Sequence, residues 1–541
     1  MAGGVEEEIT SSCVLIVSLV EQLAQVHNST AKSAMELLEN DGLRGVCTLI
    51  TDLFGPDIIR LLNYRLNADV ICHTMKLCNI DSHQPLCHLY KEPEMGLKES
   101  IKQTERLLKN SDYAVWKNAE IVSSILFKIC SLPVFKNICD AIDLSEPAED
   151  YDQDSFSIFP SLRGYHWRGR DCNDLDKSIY PGRRPEDWDA LRDSNCNGIW
   201  GFDPEDGVPY EKKFCDGSDA KGIVVLGDSA AAHFHIPPDW VTPSQFSKDT
   251  FSNMALTISN EFDWPQFSLF TGFQNSTIGG WTQSIYLKLR NWNRCNHRDY
   301  QNISKNGGSA DNLKRYLRSL ARSQEIDKPV AVFYGLIGND VCNTHADTLK
   351  HMTTPAKMKA DVMEDLLYLD TLLPNGSHVI LMSLADGRFL WDTLHDRYHP
   401  IGQLNKDVTY AQFYDFLSCL SINPCVGWMN KNETIRNLTT ERAEQLSEVL
   451  QDITASEKFT HFEVNYYEDL YQKVTAKWES LGRKPWQLLE PVDGFHPSQI
   501  ASAVGADLFW EEAMQKWPGL FGKENPFNKE IIARFGDQGG Y

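Results

Sequence analysis

The hydrophobic positions divide the chain into two parts with different periodicity. From about residue 10 to residue 87, apolar residues recur every three to four positions, as in CVLIVSLVEQLAQV at 13–26. This spacing places them on one face of a helix. No stretch in this part alternates as a strand does. We therefore predict a small all-α domain at the N-terminal end.

From residue 221 onward, short apolar runs alternate with helical stretches. The runs lie at 223–226, 330–334, 379–384 and 462–466. Continuous apolar runs are typical of parallel strands that are covered on both faces. The pattern predicts an α/β domain with a parallel sheet and helices on both faces, a three-layer αβα arrangement.

The region between these parts has little periodicity. Residues 140–156 are acidic and poor in large aliphatic side chains, which predicts a solvated, protease-accessible linker. The predicted organisation is a helical module at 8–90, a linker at 91–159, a loop-rich segment at 160–220 and the α/β domain at 221–541.

Composition and charge disfavour one class of ligand and indicate a cellular compartment. The formal net charge of -23 makes general binding of nucleic acid improbable, so any anionic substrate must meet a local cation. The 14 cysteines and six glycosylation sequons favour the oxidising secretory pathway, with secretion or a lysosomal or vesicular destination. The first ten residues are acidic where a signal peptide is basic, so we expect that a signal was removed or replaced. The sequons are at Asn28, Asn275, Asn302, Asn375, Asn432 and Asn437.

The candidate chemistry starts where the first apolar run ends on Gly-Asp-Ser at 227–229. Gly227 permits a sharp exit, and Ser229 then lies at the carboxyl end of a strand, where open α/β sheets bind ligands. Two interpretations fit this serine. It is either a nucleophile or the N-cap of the following helix.

Two later stretches favour the nucleophile. YGLIGNDVC at 334–342 ends another apolar run with Asn339, whose amide can donate to an anion. PVDGFHPSQI at 491–500 places Asp493 and His496 on one turn before a helix. A serine activated by an imidazole, itself oriented by a carboxylate, needs this set of residues. A single histidine before a helix is often structural, but the ordered combination is not expected by chance.

With these motifs, the region from 221 resembles the GDSL, or SGNH, hydrolase family. The resemblance implies a flavodoxin-like αβα fold with Ser229 as the nucleophile, His496 as the general base and acid, and Asp493 as the orienting carboxylate. It also implies an oxyanion hole formed by the Ser229 N–H, the Asn339 side chain and a glycine. We assign Gly279 to that glycine, with the adjacent Gly280 as an alternative.

The N-terminal helices resemble a saposin B-type module, a disulfide-bonded helical fold that binds lipids. Four of that family's six cysteines have counterparts here: Cys13, Cys47, Cys72 and Cys78. The resemblance implies a Cys13–Cys72 bond and leaves the other two without their usual partners. Cys87, just beyond the module, is a candidate for a bridge to Cys419 or Cys425. A generic helical bundle is the alternative.

The two modules in this order, together with the stretches at 169–185 and 524–540, resemble a family of lipases that remove secondary fatty acyl chains from the lipid A of bacterial lipopolysaccharide. The resemblance implies a lipid or membrane surface bound by the helical module. It also implies a precursor cut near 120–150 into small and large subunits that stay disulfide-linked. The alternatives are a carbohydrate O-acetylesterase, a phospholipase or acyltransferase on other lipids, and a non-catalytic lipid carrier.

Two segments carry oxygen-bearing side chains at alternating positions, as calcium loops do. No glutamate stands at the closing position of an EF-hand, so other Asp- and Asn-rich calcium motifs are the better comparison. Cys172 and Cys196 lie inside the segments and are placed to join them. A solvated acidic turn is the alternative, and zinc is disfavoured because histidines do not cluster. The candidate Ca²⁺ ligands are Asp171, Asn173, Asp174, Asp176, Ser178, Asp193, Asn195, Asn197 and Ile199.

The stretch SLRGYHWRGR at 161–170 is the most basic and aromatic part of the acidic chain. Its arginines either meet phosphates of lipid A or pair with neighbouring aspartates. The sequence leaves both interpretations open.

Overall fold

The computed structural model describes residues 4–34, 47–75, 86–108 and 133–541. Its N-terminal part is helical in every described stretch up to residue 75, which confirms the predicted all-α module there. The helices are α1 (Gly4–Val26), α2 (Cys47–Asn63), α3 (Ala68–Thr74), α4 (Leu97–Leu108) and α5 (Pro133–Asp143).

The apolar face of α1 is buried, with Val17 and Leu23 almost fully excluded from solvent beside Ile71 of α3. Cys13 and Cys72 form a disulfide, as the resemblance implied. The side chain of Cys47 and all of Cys78 lie outside the described residues. No described helix is both long and apolar enough to cross a bilayer.

The rest of the chain is built on a five-stranded parallel sheet in the order β2-β1-β3-β4-β5. The four predicted strands are present, and β2 is an addition. It was missed because it has only three residues, two of them polar. Gln301 donates to the Ala321 carbonyl at 2.7 Å, and this hydrogen bond makes its burial tolerable. The strands are β1 (Gly222–Gly227), β2 (Tyr300–Asn302), β3 (Val330–Gly335), β4 (Ser377–Met382) and β5 (Phe462–Tyr467).

Side chains that alternate along the central strands enter two separate cores. Val224 and Val332 face one layer of helices, whereas Ile223 and Phe333 face the other. This confirms the predicted αβα layering. The remaining helices are α6 (Tyr210–Cys215), α7 (Ser229–Ala232), α8 (Met254–Ser259), α9 (Ile285–Trp292), α10 (Pro355–Asp370), α11 (Arg388–Leu394), α12 (Tyr410–Cys419), α13 (Glu433–Ser456), α14 (Leu470–Ser480), α15 (Gln499–Lys516) and α16 (Asn528–Phe535).

The predicted linker needs correction, because the described residues between 91 and 159 are folded. They include α4 and α5, and the acidic stretch after α5 is packed in part, although Leu144 and Tyr151 remain exposed. Ser145 and Phe156 are buried, and the Phe156 ring stacks on Tyr180 at 5.8 Å between centroids. The expected cleavage site stays a prediction, and residues 109–132 lie outside the described part.

The glycosylation candidates differ in solvent exposure. Asn28, Asn275, Asn375, Asn432 and Asn437 are exposed. Asn302 is wrong as a candidate, because it lies inside β2 with only 1 % of its surface exposed. Its amide donates to the Ala231 carbonyl at 3.0 Å, so a glycan could not be attached without unfolding the strand.

The helical module is joined covalently to the α/β part by the disulfide between Cys87 and Cys419 at the end of α12. This is one of the two bridges expected from the sequence. A polar contact adds to it, since the Gln22 amide donates to the Ile401 carbonyl at 2.6 Å. The apolar residues of α1 belong to the same continuous core as one face of the sheet.

We predict that a cut between the two parts leaves them linked. A protease site inserted between residues 110 and 125 should give two fragments that migrate together without reductant and apart with it. Peptide mapping under non-reducing conditions should recover a peptide pair joining Cys87 to Cys419. Fragments that separate without reductant, or a native Cys87 that reacts with an alkylating agent, would contradict this disulfide.

Candidate active site

The turn after β1 shows which residue caps the helix that follows it. The Asp228 side chain accepts hydrogen bonds from the Ala230 N–H at 3.0 Å and from the Ile337 N–H at 2.9 Å. Asp228 is therefore the N-cap, and Ser229 is the first residue of α7. The interpretation of Ser229 as the cap is wrong, and its hydroxyl is left for other partners.

The structure brings Ser229, His496 and Asp493 together from distant parts of the chain. His496 Nε2 lies 2.7 Å from Ser229 Oγ, and its Nδ1 lies 2.6 Å from Asp493 Oδ2. With the proton on Nδ1 donated to the carboxylate, Nε2 is the acceptor for the serine hydroxyl. This is the hydrogen-bond chain of a serine nucleophile, a base and an orienting group.

The local environment fixes the ionised form of Asp493. Burial alone raises the pKa of this carboxyl, but the adjacent His496 and hydrogen bonds from the N–H groups of Phe495 and His496 outweigh it and hold the pKa below its usual value. The imidazole packs against the Phe234 ring at 4.6 Å between centroids. The ring of His496 is therefore positioned by this contact as well as by its two hydrogen bonds.

Asn339 lies beside the serine, where the resemblance placed it, and lines the same cavity. One amide hydrogen donates to the Gly308 carbonyl at 3.0 Å, which leaves the second for a substrate oxygen. Gly308 belongs to a turn directly after β2, and a Cβ there would lie 2.8 Å from the Gly227 carbonyl oxygen. Only glycine fits this approach to the nucleophile turn.

The assignment of Gly279 to the oxyanion hole is not supported. Gly279 and Gly280 line a different cavity, which does not include Ser229. The Gly307–Gly308 turn, which follows β2 at the same end of the sheet, instead supports Asn339 through the Gly308 carbonyl. The sequence signal was present in SKNGGSA at 304–310, but it has meaning only once β2 is recognised.

An apolar slot leads away from the serine. Its walls come from α11, α14 and the loops around them. Trp428 can reach the slot only because residue 387 is glycine, since a Cβ there would lie 2.2 Å from the indole ring. The indole N–H is satisfied by the Thr440 hydroxyl at 3.0 Å. Such a slot suits an aliphatic chain. The lining includes Phe389, Leu390, Trp428, Val474, Leu488 and Phe495.

The first calcium segment contributes two of its predicted ligands to a larger carboxylate cluster. Asp171 and Asp174 meet Asp150, Asp152 and Asp154 from the acidic stretch. In four of these side chains a buried Oδ2 has no hydrogen-bond partner among the described residues. Burial, with neighbouring carboxylates such as Asp171, raises the pKa of Asp154 to about 8. Packed oxygen donors without a counter-charge fit a divalent cation such as Ca²⁺.

Asp176 and Ser178, which were also predicted as ligands in that segment, have other partners. Asp176 pairs with Arg192 at 3.1 Å on the surface and accepts the Ser178 hydroxyl at 2.7 Å. The N–H of Asn173 donates to Asp171, so its backbone supports the cluster. Asp176 and Ser178 are therefore not supported as ligands.

The second segment, at 193–199, contacts a buried carboxylate that was not predicted from the sequence. Glu211 is buried, and its two carboxylate oxygens lie 3.1 Å from the Asn195 amide and 2.9 Å from the Asn197 amide. Asp193 and the Ile199 N–H stabilise the same turn. Glu211, which comes from α6 outside the loop, therefore uses both carboxylate oxygens to hold the two asparagine amides. The predicted Cys172–Cys196 disulfide joins the two segments.

The basic stretch at 161–170 is largely structural. Arg163 pairs with Glu261 at 2.7 Å, and Arg168 is buried with its guanidinium on the Ser319 and Ser145 carbonyls. Both side chains are about 1 % exposed. Neither is available to a phosphate, and neither pairs with a neighbouring aspartate, since Arg163 binds a glutamate and Arg168 binds polar groups without a carboxylate.

Comparison with known proteins agrees with this geometry. Residues 9–140 match the family model of the saposin-like domain, and residues 223–509 match that of the GDSL-like lipase/acylhydrolase. Acyloxyacyl hydrolases of Homo sapiens and Oryctolagus cuniculus are each 54 % identical over 98 % of this chain, covering 92 % and 93 % of their own lengths. The acyloxyacyl hydrolase of Mus musculus is 52 % identical over 98 % of this chain and 93 % of its own.

We predict a graded loss of esterase activity. Ser229→Ala should abolish turnover, and His496→Ala should be nearly as severe. Asn339→Ala should cost on the order of 10²- to 10³-fold, because one oxyanion donor is lost while the nucleophile remains. Asp493→Asn should fall between, because it disturbs the histidine tautomer. Steady-state kinetics on a short ester measures this order, with the exposed Ser480→Ala as the control. A folded Ser229→Ala protein with substantial activity would contradict the assignment.

Proposed function

The chain belongs to the acyloxyacyl hydrolase family, and we propose that it removes secondary fatty acyl chains from the lipid A of bacterial lipopolysaccharide. The observation that carries the proposal is the position of the Ser229, His496 and Asp493 chain at one end of an apolar slot. An ester linking a fatty acid to the hydroxyl of another acyl chain presents both an aliphatic tail for the slot and a carbonyl for the serine.

In the proposed reaction, His496 Nε2 takes the Ser229 proton as Oγ attacks the ester carbonyl. The negative charge that develops on the carbonyl oxygen is stabilised by the Asn339 amide and by N–H groups of the nucleophile turn. The ester carbon–oxygen bond then breaks, and the protonated imidazole, stabilised by Asp493, gives its proton to the leaving oxygen, which departs as the alcohol while the acyl group stays on Ser229. Water, activated by the same histidine, releases the fatty acid from Ser229 and restores the enzyme.

We propose that the N-terminal module brings lipid to this site. The match to a saposin-like domain supports a role in lipid binding. The Cys87–Cys419 disulfide and the Gln22–Ile401 contact hold the module against the α/β part. A small and a large subunit produced by cleavage would therefore stay associated through the disulfide.

We propose that Ca²⁺ binds the acidic segments. The donor set fits, since it consists of carboxylates whose buried oxygens have no partner among the described residues. Asp150, Asp152, Asp154, Asp171 and Asp174 would supply the ligands, in two adjoining groups that share Asp152, and the 193–199 loop stays a prediction. The ion would neutralise the carboxylates and join segments that have few apolar side chains. None of these aspartates lines the cavity that contains Ser229.

A place in the secretory pathway, either secreted or in lysosomes and related vesicles, is likewise a proposal. Five disulfides with both partners described support it, because such bonds persist in oxidising compartments. The five exposed sequons agree with the same compartment.

We expect intact lipopolysaccharide incubated with the protein to lose secondary acyl chains while its primary chains remain. Mass spectrometry of the lipid A and of the released fatty acids measures this, with Ser229→Ala as the matched inactive control. Release of acetate from an acetylated carbohydrate instead would indicate the O-acetylesterase. Equal hydrolysis of glycerophospholipids, or transfer to an added alcohol, would indicate the phospholipase or acyltransferase.

We expect chelation of calcium to lower the melting temperature, on the order of 5 °C, because the carboxylates lose their counter-ion. Asp154→Asn should reduce this response to calcium. Asp176→Asn is the matched control, since Asp176 pairs with Arg192 outside the cluster, and it should respond as the parent protein does. Melting that is indifferent to excess chelator would contradict the proposal.

A further inference from the structure

A second cavity adjoins the apolar slot. It has a volume of about 290 Å³, and Leu489 lines both cavities. Unlike the slot, it is lined by a mixture of polar, charged and aromatic groups. It lies on the other side of the 489–500 segment that carries His496. Nothing in the ester chemistry uses it.

The charges in this cavity leave one cation available. His235 and Glu490 are both buried and bind each other at 2.6 Å between Nδ1 and Oε2, so the histidine is already engaged by a carboxylate. Arg397 also lines the cavity, and it forms no ion pair with any residue in the described ranges. An unpaired guanidinium beside the active site of a strongly acidic chain is a specific feature, because anions find few other cations here.

Stacking holds that guanidinium in place. Its central carbon lies 4.1 Å from the centroid of the Trp486 ring. Stacking on an indole fixes the plane of the group while its N–H edges stay free, and those edges match the geometry of a phosphate. The guanidinium groups of Arg163 and Arg168, by contrast, already bind other residues inside the protein.

Aromatic side chains form the rim of the cavity. Tyr398 and Trp486 also line it, and they keep 41 % and 39 % of their surfaces exposed. Flat rings that remain in water beside polar groups suit a ligand with both an apolar face and hydroxyls, such as a sugar ring. A fatty chain would instead favour the apolar slot.

The cavity also lies next to the helical module. Gln403 lines it, and two residues earlier the Ile401 carbonyl accepts the hydrogen bond from Gln22 of α1. A lipid held by the module would therefore have its polar end close to the cavity when an acyl chain enters the slot.

We propose that this second cavity binds the phosphorylated sugar headgroup of the substrate, with Arg397 holding the phosphate monoester. The proposal rests on the proposed function and deepens it, because it names what recognises the polar half of the lipid. The apolar slot selects the chain to be cut, and the cavity fixes the register of the headgroup relative to Ser229.

The test compares kcat/KM on two substrates in the same detergent, lipid A carrying its phosphates and lipid A from which they have been removed. The parent protein should prefer the phosphorylated form. In Arg397→Ala that preference should fall on the order of 10-fold, through KM, because charge-assisted hydrogen bonds to the phosphate are lost. Arg397→Lys should keep part of the preference, since the charge remains but the paired N–H donors of the planar guanidinium are lost.

Arg483→Ala is the matched control, because Arg483 also lies over a tryptophan, Trp478, at 5.7 Å but does not line the cavity. It should keep the preference of the parent protein. A parent protein with no preference, or an Arg397→Ala protein that loses both substrates equally, would overturn the proposal. Failure of the proposed function looks different, since the parent protein would then hydrolyse a short ester but neither form of lipid A.

Discussion

The buried carboxylate of Asp228 is the interaction on which the site depends. It caps α7 through Ala230 and accepts the Ile337 N–H, so one side chain joins the carboxyl ends of β1 and β3. Burial raises its pKa to about 6, and the hydrogen bonds to its charged form offset part of that cost. Because Asp228 serves as the cap, the neighbouring serine can point its hydroxyl at His496.

Around this turn, two cavities divide the recognition of one amphipathic molecule. The slot walled by Trp428 excludes polar groups, whereas the cavity with Arg397 and Trp486 offers a cation and exposed rings. The segment that separates them also carries Asp493 and His496. The catalytic geometry is therefore set by the same backbone that divides the apolar half of a substrate from its polar half.

The acidic region is governed by a different constraint. Five aspartates lie in two adjoining groups that share Asp152, and like charges at this separation repel strongly in a partly buried site unless they are neutralised. The Cys172–Cys196 disulfide holds the loops together but does nothing for the charge. The disulfide and the proposed calcium ion would therefore have separate roles in a segment with little hydrophobic core.

The sequence by itself determined the parts of the protein that are coded locally. Apolar periodicity predicted the helical module and four strands, and strand-end motifs predicted Ser229, Asn339, Asp493 and His496. What it could not determine were partners brought together by the fold. Strand β2 is short and polar, so the Gly307–Gly308 turn was overlooked in favour of Gly279. Glu211 and the aspartates at 150–154 lie outside the two loops in which oxygen-bearing side chains alternate. Their roles depend on distances in space, and only packing of the chain decides which polar groups finally share a site.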